Sequence, residues 1–379
     1  MSKNLQDKKK YMQWLVLLGV IFLFAGCGTN TRSVSSYILD EKPAGTPPRI
    51  EREFKLSLDG EGSLTHDPET IISVVSHGLK ELIEQKMFSA GDITKKEYYV
   101  DDESKAFVFR DTYYDNEYRD LAERAISYRL RYRFNDTEQY DKHERYKEDP
   151  AFFPNRAEIQ AKTDRQEVGN GFSTVKEARF EFRNASEPFS KKNKAPKSPW
   201  KYTQFSRYPE TGQFQKYTMW PTYHVVESLE DIVGRSGSLH VRPEAILLTR
   251  RDRVHLNMKT SWGSGPNPEQ VFIISLDTVQ VFDETYHEYL LGKQNRPEPV
   301  GSYTEMEIEF ERNVSTEIDE KIKDGSKKKK KKAKDARDAF LEDQKKIVQK
   351  IKSELLLIDI ELQGASQSKY GQAIDILNE

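Results

Sequence analysis

Glu51, Glu53 and Lys55 alternate through IEREFKLSL with Ile50, Arg52, Phe54, Leu56 and Leu58. At the two-residue period of a strand, two carboxylates and an ammonium share one face, and the apolar side chains share the other with Arg52. Three more segments repeat this segregation. In ISYRLRYRF, Arg129, Arg131 and Arg133 lie with Ser127 opposite Ile126, Tyr128, Leu130, Tyr132 and Phe134. In EARFEFR, Glu177, Arg179, Glu181 and Arg183 oppose Ala178, Phe180 and Phe182. In YTEMEIEFE, Glu305, Glu307, Glu309 and Glu311 oppose Met306, Ile308 and Phe310.

Rows of like charge repel, so neither kind of row is a natural way to build a dry core. A divalent cation would neutralise the acids, and Mg²⁺ or Mn²⁺ suits carboxylate oxygen. A polyanion would satisfy the arginines, whose donor forks match phosphate oxygens. Together the rows describe a site for a metal-bound phosphate chain inside a barrel with a polar lumen and helix-covered apolar outer faces. The same residues also fit an antiparallel sheet with one solvated face, on which the charges pair in water.

The rest of the chain supplies elements to position these faces. PETIISVVSHGLKELIEQKMF, 68 to 88, has helical spacing and predicts one amphipathic helix. KAFVFRDTYYDN leads from a strand into a turn, and LAERAISYRLRYRF reads as a returning strand. The polar stretch from Asn135 to Pro154 reads as loop or short helix. AEIQAKT and EARFEFR read as short strands separated by a turn or helix, and SKKNKAPKSPWK as a loop. EAILLTRRDRVHLNMKT, EQVFIISLDTVQVF and YTEMEIEFER are further strands. Six consecutive lysines, Lys327 to Lys332, read as a solvated linker or helix start, with contact to anionic lipid or polymer as the sharper option. The apolar residues that follow predict a terminal helix against the sheet. The chain has no phosphate loop of the GxxxxGK[ST] kind.

Lys plus Arg number 60 against 62 for Asp plus Glu, so no global field points to nucleic acid. The 379 residues can bury the core of one large domain or two modest ones. Lys8, Lys9 and Lys10 precede the apolar WLVLLGVIFLFA, which ends in LFAGC at Cys27. With a single cysteine, disulfide and thiolate-metal sites fall away. LFAGC resembles the bacterial lipoprotein lipobox. That resemblance implies a signal peptide over 1–26, lipidation of Cys27, a tether over 27–48 and a soluble domain in the cell envelope, on the outer membrane facing the periplasm. An uncleaved membrane anchor is the alternative, because the apolar stretch is just below spanning length.

ExExK at Glu51, Glu53 and Lys55, in the context IEREFK, resembles the opening signature of the CYTH, or triphosphate tunnel metalloenzyme, superfamily. YYDNEYRDL resembles that family's YFDT…L segment with Asn116 in place of threonine, RLRYR its arginine-bearing strand and EMEIEF its late acidic strand. SKYGQ, 368 to 372, is similar to the ending of the VTC-like polyphosphate polymerase branch. The resemblance spans about residues 49 to 372, loosely so over 185–245, with 373–379 as a tail. It implies an α+β, mainly antiparallel β fold: an eight-stranded tunnel barrel with a charged lumen and covering helices.

By the same resemblance, Glu51, Glu53, Glu307 and Glu309 are catalytic acids. Glu305 joins them as a metal ligand for Mg²⁺ or Mn²⁺. Lys55, Arg129, Arg131, Arg133, Lys162, Arg179, Arg183, Arg251, Arg253 and Lys369 are phosphate-binding candidates, Asp277 matches an acidic position of the polymerase-like relatives, and the inward phase of the strand carrying Arg251, Arg253 and Lys259 is left open. The implied activity is hydrolysis of tripolyphosphate or polyphosphate. Phosphoryl transfer to a growing polyphosphate, or polyanion binding without turnover in an envelope lipoprotein, are the alternatives.

Overall fold

The computed structural model describes residues 49–60, 62–94, 97–101, 106–145, 154–183, 242–259, 270–290, 292–365 and 367–379. The strands are β1 (Arg49–Asp59), β2 (Tyr98–Asp101), β3 (Phe107–Asp115), β4 (Ser127–Phe134), β5 (Arg156–Gly169), β6 (Phe172–Arg183), β7 (Arg242–Met258), β8 (Gln270–Phe282), β9 (Gly301–Phe310) and β10 (Glu361–Gly364). The helices are α1 (Gly62–Thr65), α2 (Pro68–Glu84), α3 (Ser89–Thr94), α4 (Asp120–Glu123), α5 (Thr137–Arg145), α6 (Glu284–Leu290), α7 (Arg312–Asp324), α8 (Lys327–Leu356) and α9 (Lys369–Asn378).

The strands pair in the order β1-β6-β5-β4-β3-β7-β8-β9, and a further β9–β1 pairing closes the ring. All of these pairings are antiparallel. The barrel therefore has the expected eight strands, with β10 and β2 added on β1 and β7 to make a ten-stranded sheet. Closure leaves each barrel strand paired on both sides, which removes the open edges a sheet of this size would otherwise present.

The apolar faces point outward. Phe54 and Leu56 of β1, Leu256 of β7, Phe272 and Ile274 of β8 and Ile308 of β9 are buried in one core with α2, α7 and α8. Arg52, the charged residue on that face, is satisfied there: it donates to Ser315 and, at 2.8 Å, to Asp319 of α7. The Asp67 side chain caps α2 through the Thr70 amide at 2.7 Å, with Pro68 in the first turn. This helix stops at Glu84 rather than running to Phe88, because Lys86 takes φ 54° and turns the chain.

Two local readings give way to backbone chemistry. AEIQAKT and EARFEFR belong to strands of 14 and 12 residues joined directly by a hairpin. Asn170 and Gly171 turn it at φ 54° and 79°, the positive angles a two-residue turn needs. Leu121 to Glu123 belong to α4 instead of a strand. The Asp115 carboxylate accepts from the amides of Asn116, Leu121 and Ala122, and such short-range bonds favour a turn over sheet pairing.

The end of the chain is also more structured than a tail. After β10, Ser368 caps α9 through the Gly371 amide at 3.0 Å, and α9 includes most of residues 373–379. Its Tyr370, Ala373 and Ile374 pack on Tyr113, Leu247, Val279 and Val281, and the Tyr370 ring stacks on Tyr113 at 5.0 Å. These partners alternate with outward positions of their strands and so face the lumen. Helix α9 accordingly covers one end of the barrel.

The segments expected as signal and tether, including Cys27, and almost all of 185–245 lie outside the described residues. Among the described residues, no helix is long and apolar enough to cross a membrane.

Candidate active site in the barrel lumen

The charged faces of three of the segments read from the sequence, and Glu177 of EARFEFR, turn inward around a cavity of about 190 Å³. On β1, Glu51, Glu53 and Lys55 line it; on β4, Arg129, Arg131 and Arg133 do so; on β9, Glu307 and Glu309. Lys162 of β5, Arg251 and Arg253 of β7, and Lys369 at the start of α9 line it as well, whereas Glu305, fully buried, does not. Arg179 and Arg183 sit on β6 in register with Gln160 and Arg156 of β5; their side chains lie outside the described ones. Lys259 stands apart, exposed and 2.8 Å from Glu97.

The basic wall is held by one carboxylate that the alternating pattern had not singled out. Arg131 donates to both oxygens of Asp111 at 2.6 Å, and Arg129 donates to the same group at 3.1 Å. Arg129 also donates to Tyr113 Oη at 2.6 Å and Gln160 Oε1 at 2.8 Å. Burial alone would push the Asp111 carboxyl up, but the two guanidiniums outweigh it and hold the group below its usual range. Further along the same wall, Arg133 and Arg253 lie over the Phe107 ring at 3.9 and 5.7 Å. Arg253 donates to Ser275 Oγ at 3.3 Å. Burial, then the like charges of Arg251 and Arg133, push its guanidinium down to about 9. That direction marks a place where positive charge is crowded and a further anion would relieve it.

The acidic wall divides into two parts. Asp277, Glu305 and Glu307 converge, with carboxylate oxygens within 4.8 Å of one another. This cluster already holds cations of the chain itself. Lys369 Nζ contacts Glu305 and lies 2.6 Å from Glu307 and 2.9 Å from Asp277. Lys55 Nζ is 3.2 Å from Glu307, and Arg251 reaches both Asp277 and Glu307 at 2.5 Å. Burial opposes ionisation of Glu307, yet Arg251, Lys369 and Lys55 together hold it well below the usual carboxylate range. Lys369 is likewise raised well above an ordinary lysine: burial disfavours its charge, and Asp277, Glu305 and Glu307 more than restore it.

The second part is Glu53, which faces Glu309 across the β1–β9 ladder. Its Oε1 is buried and accepts no hydrogen bond among the described residues, and Arg165, the side-chain cation paired with it there, is 3.7 Å away. Glu51 instead accepts from Lys162 at 2.5 Å. A buried carboxylate oxygen left without a donor and set beside a second carboxylate fits a hard divalent ion. Of the expected metal ligands, the structure thus leaves Glu53, next to Glu309, poised for a cation, while Glu305 and Glu307 are occupied by ammonium and guanidinium groups.

Asp111, Tyr113, Glu158, Gln160 and Arg165 also line the lumen or its walls and were not among the sequence candidates. Asp111 and Tyr113 were within reach, since they alternate with outward residues in FVFRDTYYD. Arg165 was not: the β5–β6 register shifts between Thr163 and Gln166, which breaks the two-residue phase. Asn116, the departure from the family segment, donates to Asp120 at 2.6 Å and accepts the Tyr118 and Asp120 amides, a turn-building role outside the lumen.

No family model and no curated protein matches the chain. Among solved structures, the fold is similar to an adenylyl cyclase candidate from Hippeastrum with dominant triphosphatase activity, at 13% identity and a TM-score of 0.34 over 86% of this chain and 95% of that one. An adenylate cyclase candidate from Bacillus halodurans aligns at 15% identity and a TM-score of 0.28, over 73% and 89% of the two chains. The Pct1 RNA triphosphatase of S. pombe aligns at 10% identity and a TM-score of 0.28, over 89% and 94%.

Proposed function

We propose that the lumen binds the end of an inorganic phosphate chain, tripolyphosphate or polyphosphate, and hydrolyses its phosphoanhydride with the help of Mg²⁺ or Mn²⁺. The observation that carries this reading is the opposition of two walls across one cavity: Arg129, Arg131, Arg133 and Arg253 on one side, Glu53 and Glu309 on the other. The arginines would hold non-bridging oxygens and offset their charge by preorganised donors. Glu53 and Glu309 would hold the ion, whose contribution when bound is charge neutralisation and polarisation of a phosphoryl oxygen. Water attacks the terminal phosphorus, a new P–O bond forms, the bridging P–O bond breaks, and the products are orthophosphate and a chain one unit shorter. No protein nucleophile is required.

Polyanion binding without turnover is the second reading. It is favoured by Lys369 and Lys55, which fill the acidic cluster from within the chain. For location, the lipobox-like LFAGC supports lipid anchoring at Cys27 and a place in the bacterial envelope, where inorganic phosphate chains are better substrates than nucleotides. That part of the proposal is tested by mass spectrometry of the N-terminus and by fractionation of a Cys27→Ala variant.

The test of the activity is phosphate release from tripolyphosphate by the full chain in detergent, with Mg²⁺, Mn²⁺ or EDTA, beside a folded Glu51→Ala, Glu53→Ala double variant. Turnover lost with EDTA and in the variant supports the hydrolase. Tight binding without release supports the second reading, and chain lengthening in place of release would identify a transferase.

A further inference from the structure

The six lysines from Lys327 to Lys332 form the first turns of α8 and are all exposed. This is a costly place for positive charge. Cations at a helix N-terminus oppose the helix dipole, and like charges three and four residues apart repel. The first turn holds no acidic residue, and the Ser326 side chain makes no capping bond. Between 321 and 337 the chain carries ten lysines or arginines against two aspartates. Among the described residues, Lys327 to Lys332 make no ion pair; Lys330 donates only to the Lys323 carbonyl, at 2.6 Å. The first turns of α8 thus present a cationic surface with no ion pair among the described residues, held by the far part of α8, while Lys321 and Arg337 on either side pair with Glu317 and Asp319 of α7.

Its position relates it to the lumen. Phe340 of α8 packs on Phe272 and Phe310, and Gln344 donates to the carbonyls of Arg52 and Ile308. Those partners lie at the start of β1, its ladder neighbour at the end of β9, and the start of β8. Farther along α8, Ile351 and Leu355 enter the core, and Ile358 and Asp359 pack against Gly62 near the end of β1. Helix α8 therefore runs alongside β1, and its lysines precede Phe340 by eight to thirteen residues, about 12–20 Å of helix past the start of β1. Helix α9 covers the opposite end, where the pairing of β9 with β1 begins at Glu305, in register with Ser57. The lysines accordingly overhang the end nearest Glu309, Arg133 and Arg253.

The geometry points to a second, external binding surface for the same substrate, resting on the proposed function of the lumen: a phosphate chain too long for a cavity of about 190 Å³ leaves by this end and runs along the lysines. The protein would then select long-chain polyphosphate over tripolyphosphate.

The test compares the full chain with a variant carrying glutamine at all six positions from Lys327 to Lys332. Glutamine keeps the helix propensity and removes the repulsion, and circular dichroism checks the fold. Affinity is measured for tripolyphosphate, long-chain polyphosphate, and vesicles with and without phosphatidylglycerol. The expected result is a tenfold or greater loss of affinity for long-chain polyphosphate at low salt, a smaller salt dependence of that binding, and unchanged tripolyphosphate binding and turnover. Equal affinity of the two proteins for long-chain polyphosphate overturns the inference. Loss of vesicle binding alone overturns it too, in favour of a membrane contact. Failure of both proteins to bind tripolyphosphate counts against the lumen reading, whereas the inference stands or falls on the difference between the two proteins with the long chain.

Discussion

Lys369 Nζ lies 2.9 Å from a carboxylate oxygen of Asp277, so helix α9 reaches into the lumen from one end and neutralises an acid on β8, a strand it packs against. The same ammonium is 2.6 Å from Glu307. A cation of the protein thus sits among three carboxylates whose oxygens are close enough together to bind a metal ion.

Lys369→Met removes that cation and leaves buried carboxylates facing one another. The expected loss of stability is about 3–5 kcal/mol, the usual cost of stranding a buried charge. Mn²⁺ should restore part of it, raising the Tm of the variant more than that of the parent. Equal Mn²⁺ shifts in both proteins would show that the cluster takes no metal even when vacated.

Asp111→Asn should cost about 3 kcal/mol, because Arg129 and Arg131 lose the carboxylate that holds both. Added tripolyphosphate should stabilise the variant more than the parent, since the freed guanidiniums accept a replacement anion. Differential scanning fluorimetry with and without tripolyphosphate reads both effects. An equal ligand-induced shift would place the anion elsewhere.

Arg253→Gln is expected to act in opposite directions on stability and binding. Removing a guanidinium crowded by Arg251 and Arg133 should leave the ligand-free protein as stable as the parent or more so, by up to about 1 kcal/mol. Affinity for tripolyphosphate, read by calorimetry, should fall at least tenfold. A variant that is less stable and binds normally would make Arg253 structural.

The pH dependence of stability has a fixed sign on each side. Asp111, Asp277 and Glu307 are held below their ordinary values, so the stability they contribute is present above about pH 4 and is lost as pH falls through their folded-state values. Asp343 works the other way, since burial raises it, and softens the acid limb. Lys369 is raised well above 10.5, so its contribution is complete below that pH and is lost as pH climbs through the folded-state value. Tm measured against pH should therefore show a plateau with an acid and an alkaline fall, and Lys369→Met should shrink the alkaline one. An alkaline limb unchanged in that variant would assign it to other groups.

Much of the barrel was readable because its strands are two-faced. Segments such as SYRLRYRF and TEMEIEF have the period of a strand and sort charge from apolar residues, so both the strand and its inward face follow from spacing. The Asn170-Gly171 hairpin carried a turn signal of equal clarity that the sequence reading did not use. Asp111 is different in kind. Nothing in its neighbours says that a single carboxylate will hold two arginines of the next strand, since register decides that, and register depends on the turn around Asp115 and on barrel closure.

By itself, the sequence determined the alternation, and hence which side chains share a face and that the charged faces need counter-ions. Tertiary structure decided which charges answer one another. Closure brought β9 against β1, setting Glu309 opposite Glu53, and docking of α9 delivered Lys369 to Asp277, Glu305 and Glu307. The physical reason is range: period-two patterning is fixed by the local backbone, whereas the electrostatic balance of a buried charge is fixed by groups distant in sequence that only the closed barrel brings within a few ångströms.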